Sequence, residues 1–411
     1  MVTFGAALRT ARTTAELSLR ELSKLVSYDF GYIGQIERGQ RSPSRDLAVA
    51  CDRALDAGGT LIDVYERQTV EDTMRRRTVL QALSALSAAS AVGATSVTAS
   101  LEALRHGVSG AYGCDYDEWA EIADDYGRLY YRLPAADLLR QVTADLTVLQ
   151  ALIAADTSHR RRELDRVAVR LSVVVALILT AGGESLLARR WWRTARRAAD
   201  QSGDPDSRVL AAAWDVVNGC YDGRQPAEVV GLSEAAVPMC DGRASAAVAG
   251  LLAGRAQALA LAGRCDEAVT VVRQVREVAE RLSAEVVGDA ESLWGWPEHR
   301  LLHTESFVYT YLGDTATARQ AQVRALTLYP ASQVRLRTQV QLHGAACDIR
   351  DGHVTDGLRQ AADLLDALPP DQHNRLVREV ARQVLAVVPD SDRHRPAAVE
   401  LAGRLTEPLV A

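Results

Sequence analysis

The sequence predicts an all-α protein: a small five-helix domain at the N terminus, followed by a longer α-solenoid of helix pairs. The chain of 411 residues is 48% hydrophobic but only 5% aromatic, and its abundant alanine, leucine, valine and arginine favour helices packed closely through small side chains. Short helical patterns fill the N-terminal part, and glycines recur with a period near 40 further on. We therefore expect a helical domain at residues 1–68, a linker at 69–114 and a helical repeat domain at 115–411.

The first domain carries five short helical patterns. A first helix begins at Phe4, two helices follow within residues 17–41, Ser44 is expected to cap a helix from Arg45 to Leu55, and a last helix spans Leu61 to Tyr65. The expected buried positions of the first three helices are Phe4, Leu8 and Ala11, then Leu22, Leu25 and Val26, then Ile33 and Ile36.

The two helices within residues 17–41 are joined by a tight turn, and Asp29 is the expected N-cap of the second one. This layout is a helix-turn-helix, whose second helix would lie in the DNA major groove while the segment from Arg38 to Arg41 contacts phosphates.

The charge distribution agrees with DNA binding by this domain alone. The whole chain carries a formal charge of −6, which argues against a protein that coats nucleic acid along its length. Residues 1–45 contain seven basic and four acidic side chains, a net charge of +3. A small basic domain on an acidic body is typical of a regulator.

The stretch from Tyr32 to Arg41, which includes Ile36-Glu37-Arg38-Gly39, resembles the XRE (Cro/C1-type repressor) helix-turn-helix family, and the likeness extends over residues 4–66. The resemblance implies an ion pair between Arg12 and Glu37 and double-stranded DNA as a partner. The residues expected at the DNA are Arg20, Phe30, Gly31, Tyr32, Gln35, Arg38, Gln40 and Arg41.

Three positions depart from the family pattern, which usually has a glutamine at the start of the second helix and polar residues early in the third. Here these positions hold Leu19, Phe30 and Gly31. Phe30 can contact a thymine methyl group, and the Gln35 amide can make a bidentate contact to adenine worth about 1–3 kcal/mol. Sequence readout would then depend on Gln35, DNA shape and dimer spacing.

The predicted linker is rich in alanine and serine and has no charge from Thr78 to Leu101. Its serines and threonines make it too polar for confident membrane insertion, so we expect a partly helical linker and no membrane. The chain starts without a signal peptide, which favours a cytoplasmic protein. The six cysteines are Cys51, Cys114, Cys220, Cys240, Cys265 and Cys347. They form no CxxC pair, so we expect buried reduced thiols, no metal site and no disulfide.

The repeat domain is indicated by glycines that precede alanine-rich helix starts, at positions 183, 223, 263, 313 and 352, with spacings of 40, 40, 50 and 39. Such a period is typical of helix-pair solenoids, in which each pair buries its apolar face only by stacking on the next. The segment from Gly263 to Ala268 and the segment from Tyr311 to Asp314 resemble tetratricopeptide (TPR) repeats. Because the period is longer than in those repeats, the domain is expected to be TPR-like.

A curved solenoid has a concave face, where we expect a ligand or partner to bind. Trp294 and Trp296 fall in the 50-residue interval, which predicts an insertion, and they either stack on a ligand or pack between repeats. His299 and His303 are one helical turn apart, but without a third ligand we expect surface histidines. The candidate ligand-binding residues are Trp192, Asn218, Trp294, Trp296, His299 and Asn374.

The asparagines are candidates because a helix-turn-helix domain joined to a TPR-like domain resembles the cytoplasmic peptide-sensing regulators of bacteria. Those proteins clamp a peptide backbone with asparagines on the inner face of the solenoid. This chain has only Asn218 and Asn374, so the effector is expected to be a peptide or a small molecule.

Catalysis is not expected, because the sequence contains no GxSxG, P-loop or HExxH motif, and no cofactor is implied. Two functions remain. The first is a homodimeric transcription regulator in which a signal bound by the solenoid sets the spacing of the DNA-binding domains. The second is a protein-interaction scaffold with little sequence-specific DNA binding. This second function is favoured by Leu19, which stands where the family usually has a glutamine.

Overall fold

The computed structural model describes residues 3–39, 41, 43–66, 105, 116–156 and 160–406. These residues form α-helices joined by turns and short 3₁₀ segments, without a strand among them, which confirms the all-α fold class. The chain divides into two compact units, residues 1–91 and residues 92–411. Except for Arg105, the predicted linker at 69–114 lies outside the described residues, as do Gln40 and Cys114.

The first unit contains the five predicted helices: α1 (Phe4–Thr14), α2 (Leu19–Val26), α3 (Phe30–Glu37), α4 (Arg45–Ala54) and α5 (60–66). Each of the first four helices begins after a residue whose side chain accepts a hydrogen bond from a backbone N–H of the first turn. These N-cap residues are Thr3, Ser18, Asp29 and Ser44. The caps at Asp29 and Ser44 are confirmed. Ser18 and Glu21 form a reciprocal capping box that was not predicted.

The core of the first unit lies between α1, α2, α3 and α4, where Phe4, Leu22 and Ile33 are completely buried. Leu25 was predicted to lie on the buried face of α2, but it is 59% exposed. Because residues Leu22 and Val26 are four apart, the centre of the buried face falls between them, and Leu25 points about 80° away at 100° per residue.

The second unit is built from helix pairs. Its helices are α6 (Tyr116–Leu129), α7 (Ala135–Ala155), α8 (Arg161–Ala181), α9 (Ser185–Ser202), α10 (Pro205–Gly219), α11 (Pro226–Ala236), α12 (Ala246–Leu261), α13 (Cys265–Ala279), α14 (Ala284–Gly288), α15 (Glu298–Leu312), α16 (Thr315–Leu328), α17 (Val334–Arg350), α18 (Val354–Asp366), α19 (Arg375–Ala386) and α20 (Pro396–Thr406).

In this unit, alternate helices form an inner layer in which each helix packs on the next: α8, α10, α12, α15, α17 and α19. The helices between them pack on the outside of this layer. The inner layer curves so tightly that α19 also contacts α8, and Arg375 at the start of α19 donates to the Asp222 carbonyl oxygen at 2.8 Å. The arrangement is the predicted α-solenoid of helix pairs.

The repeated glycines occupy the turns that join an inner helix to the following outer helix. All of them have positive φ, between 73° and 93°, a conformation that favours glycine: Gly183, Gly223, Gly263, Gly313 and Gly352. The tight-turn prediction is therefore confirmed. The 50-residue interval contains α14 and the segment that carries Trp294 and Trp296, so the insertion is confirmed as well.

Helix α7 has the length and composition of a membrane-spanning helix. Its Leu138, Val142 and Leu149 are nevertheless buried in the core of the second unit. Asp145 in the same helix accepts a hydrogen bond from the Tyr126 hydroxyl of α6 at 2.7 Å. These contacts are those of a helix that packs within a folded domain.

The described cysteines are free thiols, and three are buried: Cys51, Cys220 and Cys347. Burial raises the pKa of Cys51 to about 12. Cys240 is half-buried and Cys265 is exposed, so the prediction of buried thiols is wrong for these two.

Candidate DNA-binding surface and solenoid cavity

One face of α3 does not pack against the core of the first unit. Asp29 fixes the start of this helix, since its Oδ1 accepts the backbone N–H groups of Gly31 at 2.8 Å and Tyr32 at 3.0 Å. Ile33 and Ile36 are buried beneath it. Among the predicted base-facing residues, Phe30 is 46% exposed and Gln35 is exposed, while Gly31 and Tyr32 are half-buried.

Two arginines extend this face through contacts with aromatic rings. The Arg20 guanidinium of α2 lies 5.5 Å from the centre of the Phe30 ring, and the Arg41 guanidinium lies 5.2 Å from that of Tyr32. Tyr32 also stacks on Tyr28, with ring centres 6.2 Å apart. Exposed Arg20, Arg38 and Arg41 therefore surround α3 with positive charge. No short-range sequence spacing signals these arginine–ring pairs.

The framework beneath this surface contains the predicted ion pair between α1 and α3. Arg12 donates to both carboxylate oxygens of Glu37, at 2.7 and 2.9 Å, and a further donor reaches the Leu17 carbonyl oxygen at 2.7 Å. The hydrogen bond to Glu37 raises the pKa of Arg12 above its ordinary value. Leu19, which replaces the family's glutamine, is half-buried and faces Gly34 of α3, so this position provides apolar packing.

The second unit contains a cavity of about 150 Å³ on its inner face. Its walls are mainly apolar and come from the inner helices, the turn after α6 and the insertion before α15. The aromatic lining residues are Tyr130, Tyr131, Trp214, Tyr221, Trp294, Trp296 and Tyr329, and the polar ones are Asn218, Gln257, Arg300, His303, Thr304 and Gln339.

The predicted ligand-binding residues divide into two groups. Asn218, Trp294 and Trp296 line the cavity, and the His299 ring lies behind it, with its centre 4.3 Å from that of Tyr329. Trp192, by contrast, belongs to the outer helix α9 and is 1% exposed in the core that α9 shares with α8. The Asn374 side chain accepts the Val377 N–H at 2.9 Å and caps α19.

Trp192 and Asn374 therefore have packing and capping roles, and neither of them lines this cavity. The reason lies in the fold. A buried side chain on an outer helix packs against the inner helix of the same pair, and an asparagine at the start of a helix accepts a backbone N–H of the first turn. Asn218 also has a local contact, since its Nδ2 donates to the Trp214 carbonyl oxygen at 2.9 Å.

His299 and His303 were predicted to be surface residues, and this prediction is wrong: both are buried, because α15 is an inner helix. His303 Nδ1 lies 2.9 Å from the Tyr329 hydroxyl, and His303 Nε2 lies 3.5 Å from the Tyr221 hydroxyl. The Tyr221 hydroxyl in turn accepts a hydrogen bond from the Gln257 side-chain amide at 2.9 Å. Burial lowers the pKa of His303 to about 4 and that of His299 to about 3, so both rings are neutral near pH 7. The described residues contain no cluster of three or more metal-ligating side chains.

Arg300 is the charged side chain in the cavity wall. Its guanidinium donates to the carbonyl oxygens of Leu293 and Ser292, at 3.1 and 2.8 Å, and to the Tyr131 hydroxyl at 3.1 Å. It lies 5.7 Å from the ring centre of Trp214 and 6.0 Å from that of Trp296.

The sequence analysis missed Arg300, Trp214, Tyr221 and Gln257. A signal for part of this set was present, since Trp214 and Asn218 on the otherwise alanine- and valine-rich α10 and Tyr221 just after it recur at positions i, i+4 and i+7. For Arg300 there was none, because arginine is abundant throughout the chain.

Comparison with known proteins agrees with the structure of the first unit. Residues 3–64 match the family described as a helix-turn-helix domain. The chain is 37% identical over 76 residues to the transcriptional regulator ClgR of Mycobacterium tuberculosis, in strains CDC 1551 and H37Rv, and the match covers 18% of this chain and 68% of each relative. No solved structure matches the chain. By its N-terminal domain, the protein belongs to the helix-turn-helix family that includes these transcriptional regulators.

Proposed function

We propose that the protein is a homodimeric transcription regulator that binds a paired DNA site through α3 and senses a signal through its solenoid. The observation that carries the DNA-binding part is the exposed face of α3, surrounded by Arg20, Arg38 and Arg41, in a domain whose relatives are named transcriptional regulators. The regulator is expected to act in the cytoplasm, without a cofactor and without catalytic activity of its own.

On DNA, the exposed arginines would hold phosphates and the free face of α3 would enter the major groove. The Gln35 amide would contribute about 1–3 kcal/mol of base discrimination through a bidentate contact to adenine. Phe30 would contact a thymine methyl group. Since these are few base-reading groups, DNA shape and the spacing of the two domains in a dimer would supply much of the specificity.

The sensing part rests on the cavity of the inner face. Side chains from every inner helix line it, so a molecule bound there contacts the packing surfaces that set the curvature of the solenoid. A small-molecule or peptide signal would shift the distance between the two DNA-binding domains of a dimer. Such coupling typically amounts to about 1–3 kcal/mol, which changes DNA affinity by about 5- to 150-fold.

Mobility-shift assays with genomic fragments test the DNA-binding part. The wild-type protein is expected to select a subset of fragments, and Gln35→Ala and Arg41→Ala are expected to lose this binding. Arg193→Gln serves as a control, because it removes an exposed arginine from the outer helix α9. Salt-sensitive binding without any preferred sequence would instead support the interaction scaffold.

The sensing part has a separate test. Thermal unfolding of the full chain in the presence of fractionated cell extract is expected to show stabilisation by at least one fraction. The same fraction should change the DNA affinity of the wild-type protein. Stabilisation without any effect on DNA binding would separate ligand binding from regulation.

A further inference from the structure

The chemistry of the cavity wall limits what the cavity can bind. Arg300 has five N–H donors, and three of them donate to two carbonyl oxygens and a hydroxyl group, which leaves two donors. Among the described residues, no carboxylate forms an ion pair with Arg300 within 4.0 Å, since the neighbouring Glu298 pairs with Arg324, and the cavity lining contains neither aspartate nor glutamate. The positive charge is therefore open to an anionic group from outside.

The shape of the cavity favours a compact, flat molecule. Its volume of about 150 Å³ equals that of an engineered protein cavity that binds benzene, and it is well below the range of about 300–1,000 Å³ for sites that take drug-sized ligands. The indoles of Trp214 and Trp296 and the phenol of Tyr329 provide flat apolar walls.

Two further polar groups in the wall have no hydrogen-bond partner among the described residues: Gln257 Oε1 and Trp296 Nε1. Both side chains are more than nine-tenths buried, with 3% and 6% of their surface exposed. Buried polar atoms are almost always hydrogen-bonded, but unpaired ones also occur in the core away from the cavity, such as Trp192 Nε1. The choice of ligand class therefore rests on Arg300 and the aromatic walls.

We propose that the cavity binds a compact aromatic carboxylate, with the carboxylate at Arg300 and the ring against Trp214 and Trp296. A donor on the ring, such as a hydroxyl or an indole N–H, would face the polar side chains of the wall, Gln257 among them. The inference rests on the proposed sensing function and names the chemical class of the signal. A peptide and a free phosphate are the competing ligands, and the test distinguishes them.

The experiment titrates the full chain with matched pairs of probes, followed by tryptophan fluorescence and thermal unfolding in the absence of DNA. The carboxylates are 4-hydroxybenzoate and indole-3-carboxylate, and the uncharged partners are 4-hydroxybenzamide and indole-3-carboxamide. We expect each carboxylate to bind at least about tenfold more tightly than its amide. Inorganic phosphate and an unstructured peptide mixture are expected to give no shift.

Three variants locate the binding. Arg300→Gln is expected to abolish the preference for the carboxylate, and Gly250→Leu is expected to block all probes by filling the cavity near Trp296. Arg273→Gln, at an exposed position of the outer helix α13, should bind like the wild type. Because Arg300 also holds the insertion segment, circular dichroism checks that Arg300→Gln is folded, and Gly250→Leu tests the site independently.

The proposal is wrong if no carboxylate binds the wild-type protein, if the amides bind equally well, or if Gly250→Leu leaves binding unchanged. Stabilisation by the peptide mixture alone would favour a peptide effector. These outcomes are independent of DNA binding, so a failure of the ligand class can be told apart from a failure of the regulator function.

Discussion

Gly127 of α6 lies directly against the indole of Trp294 in the insertion before α15. A Cβ at position 127 would overlap the Trp294 Nε1 atom, and this Nε1 donates to the Ala123 carbonyl oxygen at 2.9 Å. Leu293 N–H also donates to the Gly127 carbonyl oxygen at 3.0 Å. Helix α6 thereby holds the insertion that forms one wall of the cavity.

The substitution Gly127→Ala is expected to destabilise the protein by about 1–3 kcal/mol, because the added methyl group must displace the Trp294 indole. Urea unfolding followed by tryptophan fluorescence measures the change. Gly231→Ala is the matched control: Gly231 lies on α11 with open space around it, so alanine is expected to stabilise that helix by up to about 1 kcal/mol. Equal effects of the two substitutions would contradict the packing argument.

Glu37→Gln is expected to destabilise the helix-turn-helix domain by about 2–3 kcal/mol, because it weakens a two-pronged hydrogen bond to the buried Arg12 guanidinium. Hydrogen exchange of the α1 and α3 amides in the full chain reports the stability of this domain. Glu16→Gln removes an exposed carboxylate just after α1 and is expected to leave the exchange rates unchanged. A double-mutant cycle with Arg12→Ala isolates the pair itself.

The stability of the solenoid is expected to fall as the pH drops from about 6.5 to 4. Burial lowers the pKa of His303 from 6.5 to about 4 in the folded protein, so within this range the unfolded chain binds a proton that the folded one does not. The stabilisation is fully present above pH 6.5 and is lost toward pH 4. Urea unfolding at a series of pH values checks this dependence, which His303→Gln should reduce and exposed His394→Gln should not.

Arg41→Gln is expected to weaken DNA binding by a similar factor for all sequences and to reduce the slope of log affinity against log salt by about 1. The reason is that its guanidinium, placed over the Tyr32 ring beside α3, is assigned to a phosphate. Fluorescence anisotropy with a selected operator at several salt concentrations gives the slope. A change of base preference without a change of slope would assign Arg41 to the bases instead.

The sequence by itself determined the local features of this protein. Asp29 and Ser44 were recognisable as helix caps, and the glycine period located the turns between inner and outer helices, because these signals depend only on backbone hydrogen bonds and dihedral angles within a few residues. The paired positions Arg12 and Glu37 came from the resemblance to a known family. Helix α2 shows the limit of such patterns, since Leu25 was assigned to the wrong face.

Only the tertiary structure decided where the cavity lies and which residues line it. Trp192 and Trp296 were both candidate ligand-binding residues, yet one fills the core beneath an outer helix and the other lines the cavity. Arg300 acquires its role from Trp214 and Tyr131, which lie 86 and 169 residues away along the chain. The curvature of the inner helices brings these side chains together, and that curvature is the sum of packing contacts between helices distant in sequence, which no local pattern specifies.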